Sequence, residues 1–331
     1  MTILVTGSSG HLGEGLMRKL TAAGRSALGL DIVESAFTDC VGSVSDRAFV
    51  KRSMAQGVDA VVHAATLHKP HVGTHARQEF VDTNITGTLA LLEEAVASGV
   101  KAFVFTSTTS AFGAALTPAP GQPAAWITED IVPVPKNIYG VTKVAAENLC
   151  ELFYRQQRLP VIVLRTSRFF PEMDDDAAVR ENYELANAQA NEMLYRRADL
   201  EDIVDAHLLA IDRATEIGFG RYIISATTPF SRDDLTELRR DAAAVVQRLF
   251  PESAILFASR GWKLFPSIDR VYANDRARAE LGWRPKHDFR HVLDCLKRGA
   301  DFRSALAQQI GSKGYHATTF DEAPYPVMQG P

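Results

Sequence analysis

Tyr139 and Lys143 frame the segment Tyr139-Gly-Val-Thr-Lys143, a spacing that puts both side chains on one face of a helix. An ammonium beside a phenol stabilises the phenolate and brings its pKa toward working pH, as a tyrosine acid/base requires. The pair opens a helical pattern over residues 139–156. Upstream, Phe103-Val-Phe-Thr-Ser-Thr-Thr-Ser110 is an apolar strand that runs into five consecutive hydroxyl side chains. Two roles are open to these hydroxyls: hydrogen bonds to a substrate carbonyl or alcohol, or closure of the strand through local backbone bonds.

A third constellation is Ile3-Leu-Val-Thr-Gly-Ser-Ser-Gly-His-Leu-Gly13. It reads as a short strand, glycines at 7, 10 and 13, and a helix beginning near Leu12. Asp31 follows the next apolar run, Ala27-Leu-Gly-Leu30. This pattern presents backbone N–H groups and a helix N-terminus to the pyrophosphate of a dinucleotide. The Asp31 carboxylate can accept both ribose hydroxyl protons and repels a 2′-phosphate, and no Lys or Arg lies between Asp31 and Arg47. NAD is therefore the expected cofactor; the plainer reading of Asp31 is a solvated strand-end carboxylate. A cationic nicotinamide would draw the Tyr139 pKa down further.

These groups need a scaffold. The 331 residues are 46% hydrophobic and 23% charged, the composition of a globular protein able to bury a full core. A net charge of -4 argues against a dedicated nucleic-acid binder. Cys40, Cys150 and Cys295 are odd in number and far apart, which fits reduced thiols and argues against a disulfide framework or zinc spacing. No basic n-region precedes the first apolar run and no run approaches a membrane span, so the expected location is cytoplasmic, with no membrane partner.

Strand-like runs at 3–6, 27–30, 39–41, 60–64, 102–107 and 161–165 alternate with helical patterns at 12–23, 45–56, 79–98 and 139–156. Such alternation predicts a doubly wound parallel α/β sheet, Rossmann-type, over residues 1–167, with a return of later segments to it left open. Beyond it, a smaller α/β substrate lobe is expected over 168–310, with helices at 199–213, 231–249 and 288–305, and a strand at 221–225. Ser231 and Asp234 read as a capping box. The tail 311–331, with Pro324 and Pro326, shows no periodicity and is expected to be loosely attached. The site belongs in the cleft at the strand carboxyl ends.

The chain resembles the extended short-chain dehydrogenases/reductases of the NAD-dependent epimerase/dehydratase family. The matching residues are Thr6–Gly13, Val62-His-Ala-Ala65, Asn84-Ile-Thr-Gly-Thr88, the stretch from Phe105 to Gly113, Tyr139–Lys143 and Leu281-Gly-Trp-Arg-Pro285. The resemblance implies Tyr139 as acid/base, Lys143 on the nicotinamide ribose, and Thr108 as the catalytic hydroxyl. It extends the cofactor site from Gly7, Ser9, Gly10, His11, Leu12, Gly13 and Asp31 to Ala64, Ala65, Asn84, Thr106 and Thr166. Ser43 and Val44 stand at the adenine, Ser43 replacing the family's usual Asp. A homodimer is implied through the helices at 79–98 and 139–156.

Departures fall on the substrate side. Arg168 stands where nucleotide-sugar enzymes carry an Asn, and the acidic run 172–176 follows it, read as a solvated loop. Thr109 and Ser110 replace the Asp-Glu pair of dehydratases and become candidate substrate contacts. Arg168, Arg196, Arg197 and Arg270 are candidate binders of phosphate or carboxylate, though scattered arginines are commonly surface pairs. His68, His71 and His75 have no metal-ligand spacing and are placed on a loop bordering the cleft; no metal is expected. The implied function is NAD-dependent oxidoreductase or epimerase chemistry on a secondary alcohol or ketone, of a sugar or sugar nucleotide. The rival readings are a dehydrogenase of a non-nucleotide small molecule and a non-catalytic NAD sensor.

Overall fold

The structure, a computed structural model, describes residues 1–314 and 316. Seven parallel strands form the main sheet: β1 (Thr2–Thr6), β2 (Ser26–Asp31), β3 (Cys40–Val41), β4 (Val58–His63), β5 (Ala102–Thr108), then, after β6 (Ala125–Ile127) in a separate sheet, β7 (Val161–Thr166) and β8 (Phe219–Ile224). Their order is β3-β2-β1-β4-β5-β7-β8, the Rossmann-type arrangement. β6 pairs instead with β9 (Arg270–Tyr272).

Side chains alternate across each strand and sort into two cores. Ile3 and Val5 join α1 (His11–Ala22) on one face. Leu4, Phe103 and Phe105 join the other, under α2 (Arg47–Met54), the helical stretch made of α3 (Arg77–Phe80), a π turn (Val81–Thr86) and α4 (Gly87–Ala97), and α5 (Ile138–Gln157). The short α6 (Ala177–Asn182) and α7 (Leu185–Glu192) lead away from the sheet. α8 (Leu200–Ile217) then returns to cover the face of α1, burying Ile203, Val204 and Ile211 there. Residues 200–224 thus belong to the sheet although the sequence pattern breaks before them.

A separate apolar cluster gathers α7, α9 (Leu235–Leu249), α10 (Ser253–Ala258) and α11 (Phe289–Lys297), with α12 (Ala305–Ile310) lying back against α1. The Ser231–Asp234 capping box is present, Ser231 N–H donating to Asp234 at 2.7 Å. The helix expected over 288–305 stops at Lys297, where Gly299 takes φ +68° and Ser304 caps α12 afresh. β6, β9, α6, α7, α10 and α12 are too short to show periodicity in sequence.

Candidate active site

The strand order reverses between β1 and β4, opening a crevice at their carboxyl ends. Gly7 leaves β1 at φ +73°, and a Cβ on it would stand 2.8 Å from the Ala65 nitrogen. A Cβ on Gly13 would meet the Gly7 oxygen at 1.9 Å, so α1 closes onto this loop only with glycine there. Gly10 caps α1 without a side chain, so the first-turn donors take their acceptor from outside the helix. Asp31 is 9% exposed; its oxygens accept the Ser9 N–H at 2.9 Å and the Val33 N–H at 3.0 Å. It is therefore an anchored carboxylate, and each oxygen keeps a lone pair for a ribose hydroxyl. Ser43 and Val44 follow β3, whose Val41 pairs with Asp31. A cradle closed to side chains, an uncapped helix N-terminus and a carboxylate at the second strand's end fit a dinucleotide.

Across the crevice, β5 delivers Thr108, and α5 delivers Tyr139 and Lys143. Asn137 caps α5 by accepting the Gly140 N–H at 3.0 Å, which sets Tyr139 in the first turn. The Tyr139 phenol lies beside the Thr108 hydroxyl, which favours its ionised form, and both residues are 8% exposed. Thr108 also accepts the Ser110 N–H at 3.0 Å, the local closure that was one of the two roles left open for the strand-end hydroxyls. Lys143 is buried, donates to the Thr106 carbonyl at 2.6 Å and lies 4.0 Å above the Phe105 ring.

Burial pushes the phenol up to about 12 against the influence of the neighbouring Thr108 hydroxyl, and pulls Lys143 down to about 7 against the charge of Glu147. The expectation of a phenol lowered by its lysine is thereby corrected: burial disfavours both charges. Three other expected contacts have their hydroxyls engaged elsewhere. Thr106 pairs with His207 Nε2 at 2.9 Å, Thr166 donates to the Ser107 carbonyl at 3.0 Å, and Thr109 donates to the Thr166 carbonyl at 3.4 Å.

A hydrogen-bonded chain ties the glycine loop to α5. Thr6 Oγ1 accepts the Ala65 N–H at 3.2 Å and pairs with His63 Nδ1 at 2.8 Å; His63 Nε2 meets Thr88 at 3.0 Å. Thr88 donates to the Asn84 carbonyl at 2.7 Å, the Asn84 amide donates to Thr142 at 3.0 Å, and Thr142 donates to the Tyr139 carbonyl at 3.0 Å. Asn84 lies in the π turn, a local widening that recurs at functional sites. Burial holds His63 near 3, so it serves as a neutral donor–acceptor link. Glu147, one turn past Lys143, accepts the Ser107 hydroxyl at 2.5 Å and Arg165 Nη2 at 2.7 Å. Neither His63, though it lies in the matching Val62-His-Ala-Ala65, nor Glu147 was given a role from the sequence; Glu147 was signalled only by its spacing from Lys143.

On the substrate side, the His68 ring lies 6.4 Å from the Tyr139 ring and stacks on Phe170 at 5.4 Å. His71 and His75 continue outward, ring to ring, at 4.8 and 4.9 Å. Among the described residues, no group of three or more His, Cys, Asp or Glu is arranged to hold a metal. The acidic run 172–176 is the larger correction. Asp174 is 6% exposed and its Oδ2 accepts both Arg168 Nη1 and Arg196 Nη2 at 2.8 Å. Asp175 pairs with Lys69, and Glu172 with His11 at 2.8 Å. The loop turns inward because desolvated cations need counter-charges. Arg270 lies against Asp269 at 2.9 Å.

The start of the tail is likewise tied down. Lys313 Nζ donates to the Ser9 carbonyl at 2.6 Å and pairs with Glu14 at 2.5 Å, while its N–H and that of Gly314 donate to Glu172 at 3.2 and 3.3 Å. Pro324 and Pro326 lie outside the described residues.

A model of the NAD dependent epimerase/dehydratase family matches residues 3–224. A UDP-glucose 4-epimerase from Azospirillum brasilense is 26% identical over 350 residues, covering 94% of this chain and 94% of that protein. A dTDP-glucose 4,6-dehydratase from Streptomyces antibioticus is 29% identical over 325 residues, covering 87% and 89%. A short-chain dehydrogenase/reductase superfamily structure from Agrobacterium tumefaciens with bound NAD shares the fold at TM-score 0.62 and 22% identity, covering 93% of this chain and 99% of that one. The chain belongs to the NAD dependent epimerase/dehydratase family and is an NAD-dependent enzyme of the extended short-chain dehydrogenase/reductase type.

Proposed function

We propose that this enzyme interconverts a secondary alcohol and its ketone on a sugar-type substrate, with Tyr139 as the proton-transfer residue. The observation that carries the reading is the placement of the Tyr139 phenol beside the Thr108 hydroxyl at the carboxyl end of β5, with Lys143 one helical turn away. Two hydroxyls converging on one point give a substrate oxygen both a proton acceptor and a second hydrogen-bond partner. Thr108 orients that oxygen; Tyr139 takes its proton in the oxidative direction and returns it in the reductive one. Lys143 holds the nicotinamide ribose and lends positive charge to the phenol. NAD, when bound, supplies the hydride acceptor and, through its cationic ring, the charge that brings the buried phenol into a useful range.

The glycine loop holds the pyrophosphate, Asp31 the adenosine ribose, and Ser43 and Val44 border the adenine. Ala64 and Ala65 let the protein backbone approach the cofactor, with Asn84 supporting the site from its helical stretch. Names borne by the relatives, a UDP-glucose 4-epimerase and a dTDP-glucose 4,6-dehydratase, support a sugar substrate. Thr109 and Ser110 next to Thr108 favour epimerisation or simple oxidation over dehydration, because no second carboxylate pair follows the strand. A cytoplasmic homodimer completes the reading. The buried faces of α4 and α5 meet the sheet, so their outer faces, with Val141 50% exposed, are free for a second copy.

Replacing Tyr139 with Phe tests the mechanism. NAD affinity, followed by fluorescence titration, should stay within about twofold, and turnover should fall by roughly 100-fold or more. Turnover at the parental level would overturn the assignment.

A further inference from the structure

The region around Arg168 is built as an anion seat, and its present occupant is part of the chain itself. Asp174 Oδ2 lies between two guanidiniums, 2.8 Å from Arg168 Nη1 and 2.8 Å from Arg196 Nη2. The two arginines are fixed by backbone pairing: Arg168 N–H donates to the Arg196 carbonyl at 3.2 Å, and Ala198 N–H to the Arg168 carbonyl at 3.0 Å. Asp174 by contrast sits on the connection between β7 and α6. Arg168 is two residues beyond Thr166, the β7 residue in register with Thr108. Phe170, on the same segment, carries the stack to His68 and so to Tyr139.

The seat is incompletely filled. Arg196 Nε and Arg270 Nε are buried and have no hydrogen-bond partner among the described residues. Asp174 Oδ2 and Glu192 Oε1 both bear on Arg196 Nη2, at 2.8 and 2.6 Å, and leave Nε unused, so a carboxylate that replaces Asp174 along the Nε–Nη2 edge would gain a second donor side by side. The surrounding charges are already matched, Glu192 to Arg197 at 2.7 Å and to Arg196 at 2.6 Å, Arg270 to Asp269 at 2.9 Å, and Lys69 to Asp175. One arriving carboxylate in exchange for Asp174 therefore conserves charge. A diphosphate would bring two charges into the space of one and set the second against Asp175 and Glu192.

We propose that Arg168 and Arg196 form the seat for a carboxylate of the substrate, that Asp174 is an internal stand-in displaced on binding, and that the substrate class is a carboxylated sugar. This rests on the sugar-alcohol reading above. Asp174 swings out with its loop, the substrate carboxylate takes the Arg196 edge, and the carbinol is presented toward Thr108 and Tyr139.

The test uses the NAD-loaded Tyr139→Phe protein, in which binding is read without turnover. Calorimetric titration with hexuronic acid, the matching neutral hexose, the hexose 1-phosphate and a nucleoside diphosphate hexose separates the sources of the anion. Hexuronate should bind at least about tenfold more tightly than the neutral sugar, the scale of one charge-assisted pair. Asp174→Asn should tighten hexuronate binding several-fold, and Arg196→Gln should weaken it about tenfold or more while leaving NAD affinity unchanged.

Preference for the nucleoside diphosphate sugar or the sugar phosphate would overturn the carboxylate class. Equal binding of acid and neutral sugars, unmoved by Asp174→Asn, would overturn the seat. Should either variant misfold, the parental Tyr139→Phe titration still decides, because loss of the acid-over-neutral preference in 0.5 M salt is expected only of a charged seat. The outcome is independent of the acid/base assignment, which turnover in that protein tests alone.

Discussion

The two sides of the crevice are held by different physics. On the cofactor side, position comes from the backbone: glycines at contacts no Cβ could make, strand ends in register, and neutral hydrogen bonds through His63, Asn84 and Thr142. On the substrate side, position comes from charge, with Asp174 shared by two arginines, Asp175 on Lys69 and Glu172 on His11. Backbone geometry is rigid and indifferent to pH and salt. Ion-paired loops exchange partners, which suits the side that must accept and release different molecules.

Breaking the exception to this division should have the largest effect. Glu147 is a charge on the cofactor side, 1% exposed and paired with Arg165. Glu147→Ala leaves that guanidinium buried and uncompensated, so unfolding by denaturant should show a loss of about 3–5 kcal/mol. Gly13→Ala attacks the backbone side where a Cβ would meet the Gly7 oxygen at 1.9 Å. The loop must shift, and a loss of about 1–3 kcal/mol in stability is expected, with NAD affinity falling at least tenfold by titration.

Acid tests the charged side. Burial raises Glu172, but the hydrogen bond and charge of His11, with Ser312, hold it at about 2. A carboxylate lowered on folding stabilises above its unfolded value near 4.5, and that stability drains away as pH falls toward 2. Glu172→Gln should flatten this acid dependence, worth up to about 3 kcal/mol, in melting curves between pH 5 and 2. The smallest effect is expected at the tail. Lys313→Met removes the contacts to Ser9 and Glu14. NAD should dissociate a few-fold faster by stopped flow, matching a partly exposed pair of about 0.5–1 kcal/mol.

Legibility followed the same division. Gly7, Gly10, Gly13 and Asp31 could be read because backbone requirements leave residue types at short, regular spacings. Tyr139 and Lys143 were readable as one helix face, and Thr108 as a strand end. The anchoring of Asp31 by Ser9 and Val33 was not, nor was the inward turn of Asp174. Partners 22 and 2 residues apart in the first case, and 6 and 22 in the second, share no regular spacing. Helix 288–305 was read as one piece because its apolar spacing outlasts the glycine that ends it.

By itself the sequence determined the strand–helix alternation, the glycine turn before α1 and the shared helix face of Tyr139 and Lys143, since each depends on spacing within one element or turn. Only the tertiary structure decided which later segments, α8 and β8, return to the sheet, that burial lifts the phenol and lowers the lysine, and that the acidic loop closes on Arg168 and Arg196. Desolvation and charge pairing depend on what distant segments bring together, and spacing along a chain does not record that.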